Sequence, residues 1–214
     1  MPARDFIFWD VDTQADFMLP GGKLYVPGAE KLIPNLRRLV DAAREGAVLV
    51  VSSACAHTPE DEEFREFPPH CIQGTPGQQK IPETLTQQVW TVPNRPGAEL
   101  PNRFDKVQQV LLEKQKLDVF SNLNTDAVLE RLGRDAEFVV FGVVTEYCVR
   151  CAANGLLNRG HRVAVVTDAI ETLDPTVGRR TLEELTAKGA RLITTDQALA
   201  LLDRAARAAP RKTH

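Results

Sequence analysis

The sequence predicts a three-layer α/β fold, a doubly wound and mainly parallel sheet of about six strands with helices on both faces. Three observations lead there. Short apolar runs such as Phe138-Val139-Val140-Phe141 are continuous rather than alternating, the pattern of strands covered on both sides. Longer segments of helical period lie between them and stop at glycine, as Gly28–Glu45 stops at Gly46. Repeated β-α alternation with right-handed crossovers then gives one open sheet, with functional groups at the carboxyl ends of its strands.

Taken in order, Phe6–Val11 is the first strand. Gly28–Glu45 follows as a helix with Leu32, Leu36, Leu39, Val40 and Ala43 on one face. Strands are predicted at Ala47–Ser53, Val89–Thr91, Val110–Glu113, Glu137–Gly142, Arg162–Thr167 and Arg191–Thr194. Asn124 or Thr125 caps a helix over Asp126–Leu132, which Gly133 ends. Further helices are predicted over Thr145–Arg159, Thr176–Lys188 and Thr195–Ala206. The stretch from His57 to Pro101 breaks this rhythm with eight prolines and many charges. Structureless loops beyond about 12–15 residues are uncommon unless functional or disordered. Residues 55–101 are therefore read as a metal or substrate loop inserted into one domain spanning 1–214.

Composition narrows the function. A domain of 214 residues buries roughly 70% of its unfolded surface, enough to fold without staples. With 26 basic against 29 acidic side chains the net charge is −3, which lacks the basic footprint of a nucleic-acid binder. The basic stretch Arg204–Lys212 is short and reads as a frayed tail. No apolar run reaches the roughly 18 residues of a membrane span. Met1–Asp5 meets a strand-like run rather than a signal-peptide core. Four cysteines are too few and too irregularly spaced for a disulfide scaffold. The expectation is a cytoplasmic protein with neither nucleic-acid nor membrane partners.

Three clusters carry candidate chemistry. Cys148 follows a strand and sits in the opening turn of the next helix, where dipole and free N–H groups favour the thiolate and suit an oxyanion. Cys148 and Cys151 also form a C-x-x-C pair, which leaves a redox reading open. Asp10, Asp12 and Asp16 lie at or just past the first strand. Alternation puts Asp10 and Asp12 on one face, and the chain has entered a loop by Asp16-Phe17. Cys55-x-His57 and His70-Cys71, with Asp61, Glu62 and Glu63 between, offer ligands for a metal in either a Cys/His or a mixed Cys/His/Glu set. Lys114 and Lys116 follow the apolar run 110–112, and surface lysines are usually solvated.

Together these segments resemble the isochorismatase-like cysteine hydrolases, and most closely the nicotinamidase branch. Asp12-Thr-Gln14-Ala-Asp16-Phe17 matches a D-x-Q-x-D-F motif. Phe67-Pro-Pro-His70-Cys71 with Gly74-Thr75 is similar to the metal-loop pattern. Lys114 to Phe120 looks like the lysine segment, and Gly142 to Val149 looks like the nucleophile segment. They come in the family's order from Phe6 to about Asp196.

The resemblance implies a Cys–Asp–Lys triad of Cys148, Asp12 and Lys114. It also implies a cis peptide at Val143-Val144 that aims the N–H of Val144, with that of Cys148, at an oxyanion. It implies a divalent metal held by Cys55, His57 and His70, with Glu63 binding directly or through water, and an aromatic clamp of Phe17 and Phe67. The family carries Asp where this chain has Cys55, and a thiolate there favours zinc over manganese or iron. The implied activity is hydrolysis of a small carboxamide, nicotinamide to nicotinate plus ammonia as in NAD salvage, by a homo-oligomer. Hydrolysis of a carbamoyl or ureido compound, an isochorismatase activity, and a non-catalytic zinc- or redox-sensing module are the alternatives.

Overall fold

A computed structural model of the chain describes residues 5–208. Residues 1–4 and 209–214, which hold most of the segment Met1–Asp5 and the end of the basic stretch Arg204–Lys212, lie outside the described residues.

Among the described residues seven strands, one more than the sheet of about six, form a single parallel sheet in the order β3-β4-β2-β1-β5-β6-β7. They are β1 (Phe6–Val11), β2 (Leu49–Cys55), β3 (Val89–Val92), β4 (Gln109–Lys114), β5 (Glu137–Gly142), β6 (Arg162–Ile170) and β7 (Arg191–Ile193). The helices are α1 (Ala15–Met18), α2 (Ile33–Arg44), α3 (Thr125–Leu132), α4 (Arg150–Asn158), α5 (Pro175–Ala187) and α6 (Thr195–Ala208).

Continuous apolarity means what it predicts, since successive residues of one strand feed two different cores. Ile7, Trp9, Val11, Phe138 and Val140 pack under α3, α4 and α5 through Val128, Leu129, Ala153, Leu156 and Leu185. Phe8, Val50, Val139 and Phe141 pack on the other face under α2 and α6, through Leu36, Leu39, Val40 and Ala198. Sheet order reverses around β1, so the carboxyl ends of β1, β2, β4 and β5 face the crevice where an open sheet builds a site.

Local signals were rearranged in five places. Asp16-Phe17 is not loop but lies in the short helix α1. The helix expected from Gly28 opens as a 3-10 turn over Ala29–Leu32, and the one expected from Thr145 opens as a π turn over Thr145–Val149. Asn124 occupies the N-cap of α3 but makes no capping bond. Its amide instead ties down the carbonyls of Pro93 and Arg95. The stretch 57–101 is built rather than structureless, with 3-10 turns at Glu62–Arg65, Pro76–Gln78 and Pro82–Thr84 and the edge strand β3.

Gly142 is where strand packing requires glycine. It has φ +116°, and a Cβ there would drive into the backbone carbonyl of Val11 on β1. Gly133, at φ +86°, faces open space. Gly142→Ala is expected to cost about 3 kcal/mol, lowering Tm by roughly 6–12 °C. Gly133→Ala is expected to cost only about 1 kcal/mol. Thermal and urea unfolding of the two variants side by side checks the difference.

Candidate active site

The site starts where β1 stops. Asp12 follows Val11 and has φ +48°, a left-handed turn that rotates its side chain out of the strand's alternation. Asp10 and Asp12 therefore do not share a face, contrary to the alternation reading. Consecutive serines on β2 hold them separately. Ser52 Oγ donates to Asp10 at 3.0 Å, and Ser53 Oγ donates to Asp12 at 2.6 Å.

Lys114 closes β4 and is fully buried, the opposite of the solvated lysine that residue-level reasoning gives. Its ammonium lies 2.9 Å from Asp12 Oδ2, 3.2 Å from Cys55 Sγ, 3.6 Å from Cys148 Sγ and 3.0 Å from the Lys116 carbonyl. Cys148 sits in the π turn after β5, 8% exposed, and its thiol donates to Asp12. The peptide Val143-Val144 before it is cis. Three chain segments far apart in sequence thus meet within one hydrogen-bond radius of one ammonium.

Electrostatics assigns the protons. Burial pushes the Asp12 carboxyl up, but the Lys114 ammonium and bonds from Ser53, Lys114 and Cys148 outweigh it, so Asp12 titrates below the usual carboxylate range. Burial pulls on Lys114 too, and the Asp12 carboxylate overcomes that and holds it well above an ordinary lysine. Burial, more than the neighbouring Asp12, pushes the Cys148 thiol well up, against the pull of Lys114. The helix-terminus argument for a resting thiolate is corrected here, because desolvation outweighs the dipole. The resting cluster is a carboxylate, an ammonium and a neutral thiol.

Beside it, Cys55, His57 and His70 bring their ligand atoms within 4.8 Å of one another, all three buried. His70 Nδ1 is 2.8 Å from the Pro68 carbonyl, and His57 Nδ1 is 3.1 Å from Asp61 Oδ2. Each imidazole is thereby oriented from behind, as metal ligands usually are. His57 Nε2 is buried with no hydrogen-bond partner, an orphan that a cation would satisfy. Burial keeps His70 below the usual imidazole range and so favours the neutral ring. These three donors fit a divalent metal. Glu63 stands apart from the cluster and lines the adjoining pocket, where burial raises its carboxyl. Cys55 is the least ready donor, because burial pushes its thiol up to about 12.

The pocket over Cys148 is narrow, with a volume of about 100 Å³, and is walled by Phe17, Phe67, Tyr147, Leu117, Val144 and Leu173 among others. Phe17 meets the His70 ring at a tilt, centroids 5.2 Å apart, and Phe67 meets Tyr147 edge-on at 6.2 Å. Tyr147, Leu117 and Leu173 were not singled out from sequence, where nothing distinguishes them from core residues. Cys151 lies in a different, acidic groove and all four cysteines are free thiols, so Cys148 and Cys151 do not face one another across a shared cavity.

Two further residues of the first motif clamp the stretch that carries these donors. Gln14 Oε1 accepts the Cys55 N–H at 2.7 Å, and its Nε2 donates to the Cys55 carbonyl at 2.8 Å. Asp16 accepts the Cys71 N–H at 2.7 Å. The spacing of the motif is explained by these two clamps.

Comparison with known proteins follows the same lines. The isochorismatase domain family matches residues 8–197. Nicotinamidase of Escherichia coli is 28% identical over 212 residues, covering 91% of this chain and 96% of that one. A pyrazinamidase of Pyrococcus horikoshii, solved in complex with zinc, is 27% identical with a TM-score of 0.71, covering 89% and 99%. The N-carbamoylsarcosine amidase of Thermoplasma acidophilum is also 27% identical, with a TM-score of 0.69 and coverage of 89% and 96%.

Lys114→Met leaves the Asp12 carboxylate buried and unpaired, and is expected to destabilise the fold by about 3–5 kcal/mol. Adding Asp12→Leu to the same chain removes the stranded charge and is expected to restore most of that loss. Denaturant midpoints of the two variants measure both changes.

Proposed function

We propose that this chain, which belongs to the isochorismatase family, hydrolyses a small carboxamide through Cys148, with nicotinamide as substrate. The observation that carries the reading is the closed contact set of Asp12, Lys114 and Cys148 beneath an apolar pocket that also touches Cys55 and His70. Family membership and the nicotinamidase relatives make it a hydrolase of amides. Residues 1–214 are read as one hydrolase domain.

Asp12, ionised at rest, takes the proton of the Cys148 thiol as sulfur attacks the amide carbon. Backbone N–H groups of Val144 and Cys148 are assigned to the developing oxyanion. Asp12 returns the proton to the departing nitrogen, releasing ammonia and leaving a thioester on Cys148. Water activated by Asp12 then cleaves the thioester, yielding the acid and restoring the thiol. Lys114 never leaves Asp12 in this cycle. It holds the carboxylate in place and favours the transient thiolate. A divalent cation held by Cys55, His57 and His70, with Glu63 reaching it through water, would supply a Lewis-acid contact for a ring nitrogen; Phe17 and Phe67 are assigned to the flanks of the ring.

Purified protein is expected to release ammonia from nicotinamide, and Cys148→Ala to lose roughly 10⁴-fold or more of that rate while keeping its fold. Chelation is expected to lower the rate and added zinc to restore it, with Cys55→Asp changing which metal restores it best. No release under any metal condition, with Cys148 still alkylated by iodoacetamide, would discard nicotinamide but keep the nucleophile. Full turnover by Cys148→Ala would sink the mechanism.

A further inference from the structure

A second buried ion pair lies on the far side of the same strand end, and the chemistry above makes no use of it. Lys80 Nζ is 2.8 Å from Asp10 Oδ2, with side chains 1% and 0% exposed. Asp10 also receives Ser52 Oγ at 3.0 Å and Thr13 Oγ1 at 2.9 Å. Thr13 Oγ1 is 2.7 Å from Thr84 Oγ1, and Gln109 Nε2 spans Ser52 Oγ and the Thr84 carbonyl at 2.7 and 2.9 Å. Every group in this network is buried.

Its backbone context gives the network a task. Lys80 bridges Gln14 in an antiparallel pair, Ile81 N donates to the Thr13 carbonyl, and Ala15 N donates to the Gln79 carbonyl. The loop segment 79–81 is thus laid along residues 13–15, immediately past Asp12. Lys80 reaches back over that junction to Asp10, two residues before Asp12. The left-handed turn at Asp12 is held between these two attachments, and so is Gln14, whose amide grips the backbone of Cys55.

We propose that Lys80 is a positioning residue for the hydrolytic site, acting through Asp10 and Thr13 to fix the direction of the Asp12 carboxylate toward Cys148. It touches neither substrate nor reacting atoms. The proposal rests on the Asp12–Cys148 chemistry and not on which amide is hydrolysed. A pair of opposite charges without a positioning task is often replaceable by apolar side chains of similar volume. A base displaced by even about 1 Å costs turnover far more than binding.

Two variants separate these roles, Lys80→Met and the double variant Asp10→Leu with Lys80→Met, which removes both charges. Each is examined for its unfolding midpoint, for kcat and KM with nicotinamide, and for the rate at which iodoacetamide alkylates Cys148. The expected result is a folded double variant with kcat reduced about ten-fold or more, KM within about three-fold, and slowed alkylation. Lys80→Met is expected to show the same kinetic loss together with lower stability. A folded variant that keeps kcat and alkylation within about two-fold of the parent overturns the proposal. Failure of both variants to fold overturns it too, in favour of a purely structural pair. If the parent itself does not hydrolyse nicotinamide, the alkylation rate alone decides, so loss of the substrate assignment does not blur the result.

Discussion

One ammonium organises the functional end of this sheet. Lys114 is fully buried, and a lone charge there would cost several kcal/mol after every relaxation the protein can make. It is tolerated because the carboxylate of Asp12 lies 2.9 Å away and a backbone carbonyl completes its coordination. That requirement fixes β4 against β1 at their carboxyl ends, with β2 lying between them in the sheet. It also decides where Cys148 can sit, since the thiol must share the same carboxylate. The arrangement makes Asp12 the only resident anion among Asp12, Lys114 and Cys148, which is what the proposed cycle asks of its base.

The first motif then acts as a distributor of anchors. Within seven residues the chain places Asp10 against Lys80, Asp12 against Lys114, Gln14 against the backbone of Cys55, and Asp16 against the backbone of Cys71. The turn at Asp12 and the short helix α1 aim these side chains at different partners, Lys80 and Cys71 of the proline-rich stretch among them. A long connection that looks loose by composition is thereby tied to the central strand of the sheet. This is why His57 and His70, separated by thirteen positions, come to share one cluster.

The fold was legible because its signal is collective. The central strands β1, β2 and β5 are runs of buried residues, and tertiary contacts reinforce rather than oppose such runs. The site was legible only in part, because single residues carry it. Cys148 stood out by its place after a strand, yet its protonation was misjudged, since the sequence shows the helix terminus and not the depth of burial. Alternation failed at Asp12 because it assumes that the strand continues, and one positive φ ends that assumption. Nothing local marks Lys114 as buried; the resemblance alone singled it out. Lys80 carries no signal at all, because its partner is seventy residues away and its neighbours are ordinary loop residues.

Cys55 shows how closely the two halves of the site are joined. Its sulfur belongs to the cluster with His57 and His70 and is also 3.2 Å from the ammonium of Lys114. A carboxylate in that place would set a second anion beside Lys114 and divide its charge between two partners. The thiol, which burial keeps protonated to about 12, is neutral and leaves the ammonium to Asp12. Ligation reverses this, because a metal binds the thiolate and not the thiol. The proton state of Cys55 therefore links the charge at the histidine pair to the charge felt by the triad. In this chain the three metal-ligand candidates and the proposed triad are two faces of one buried electrostatic unit.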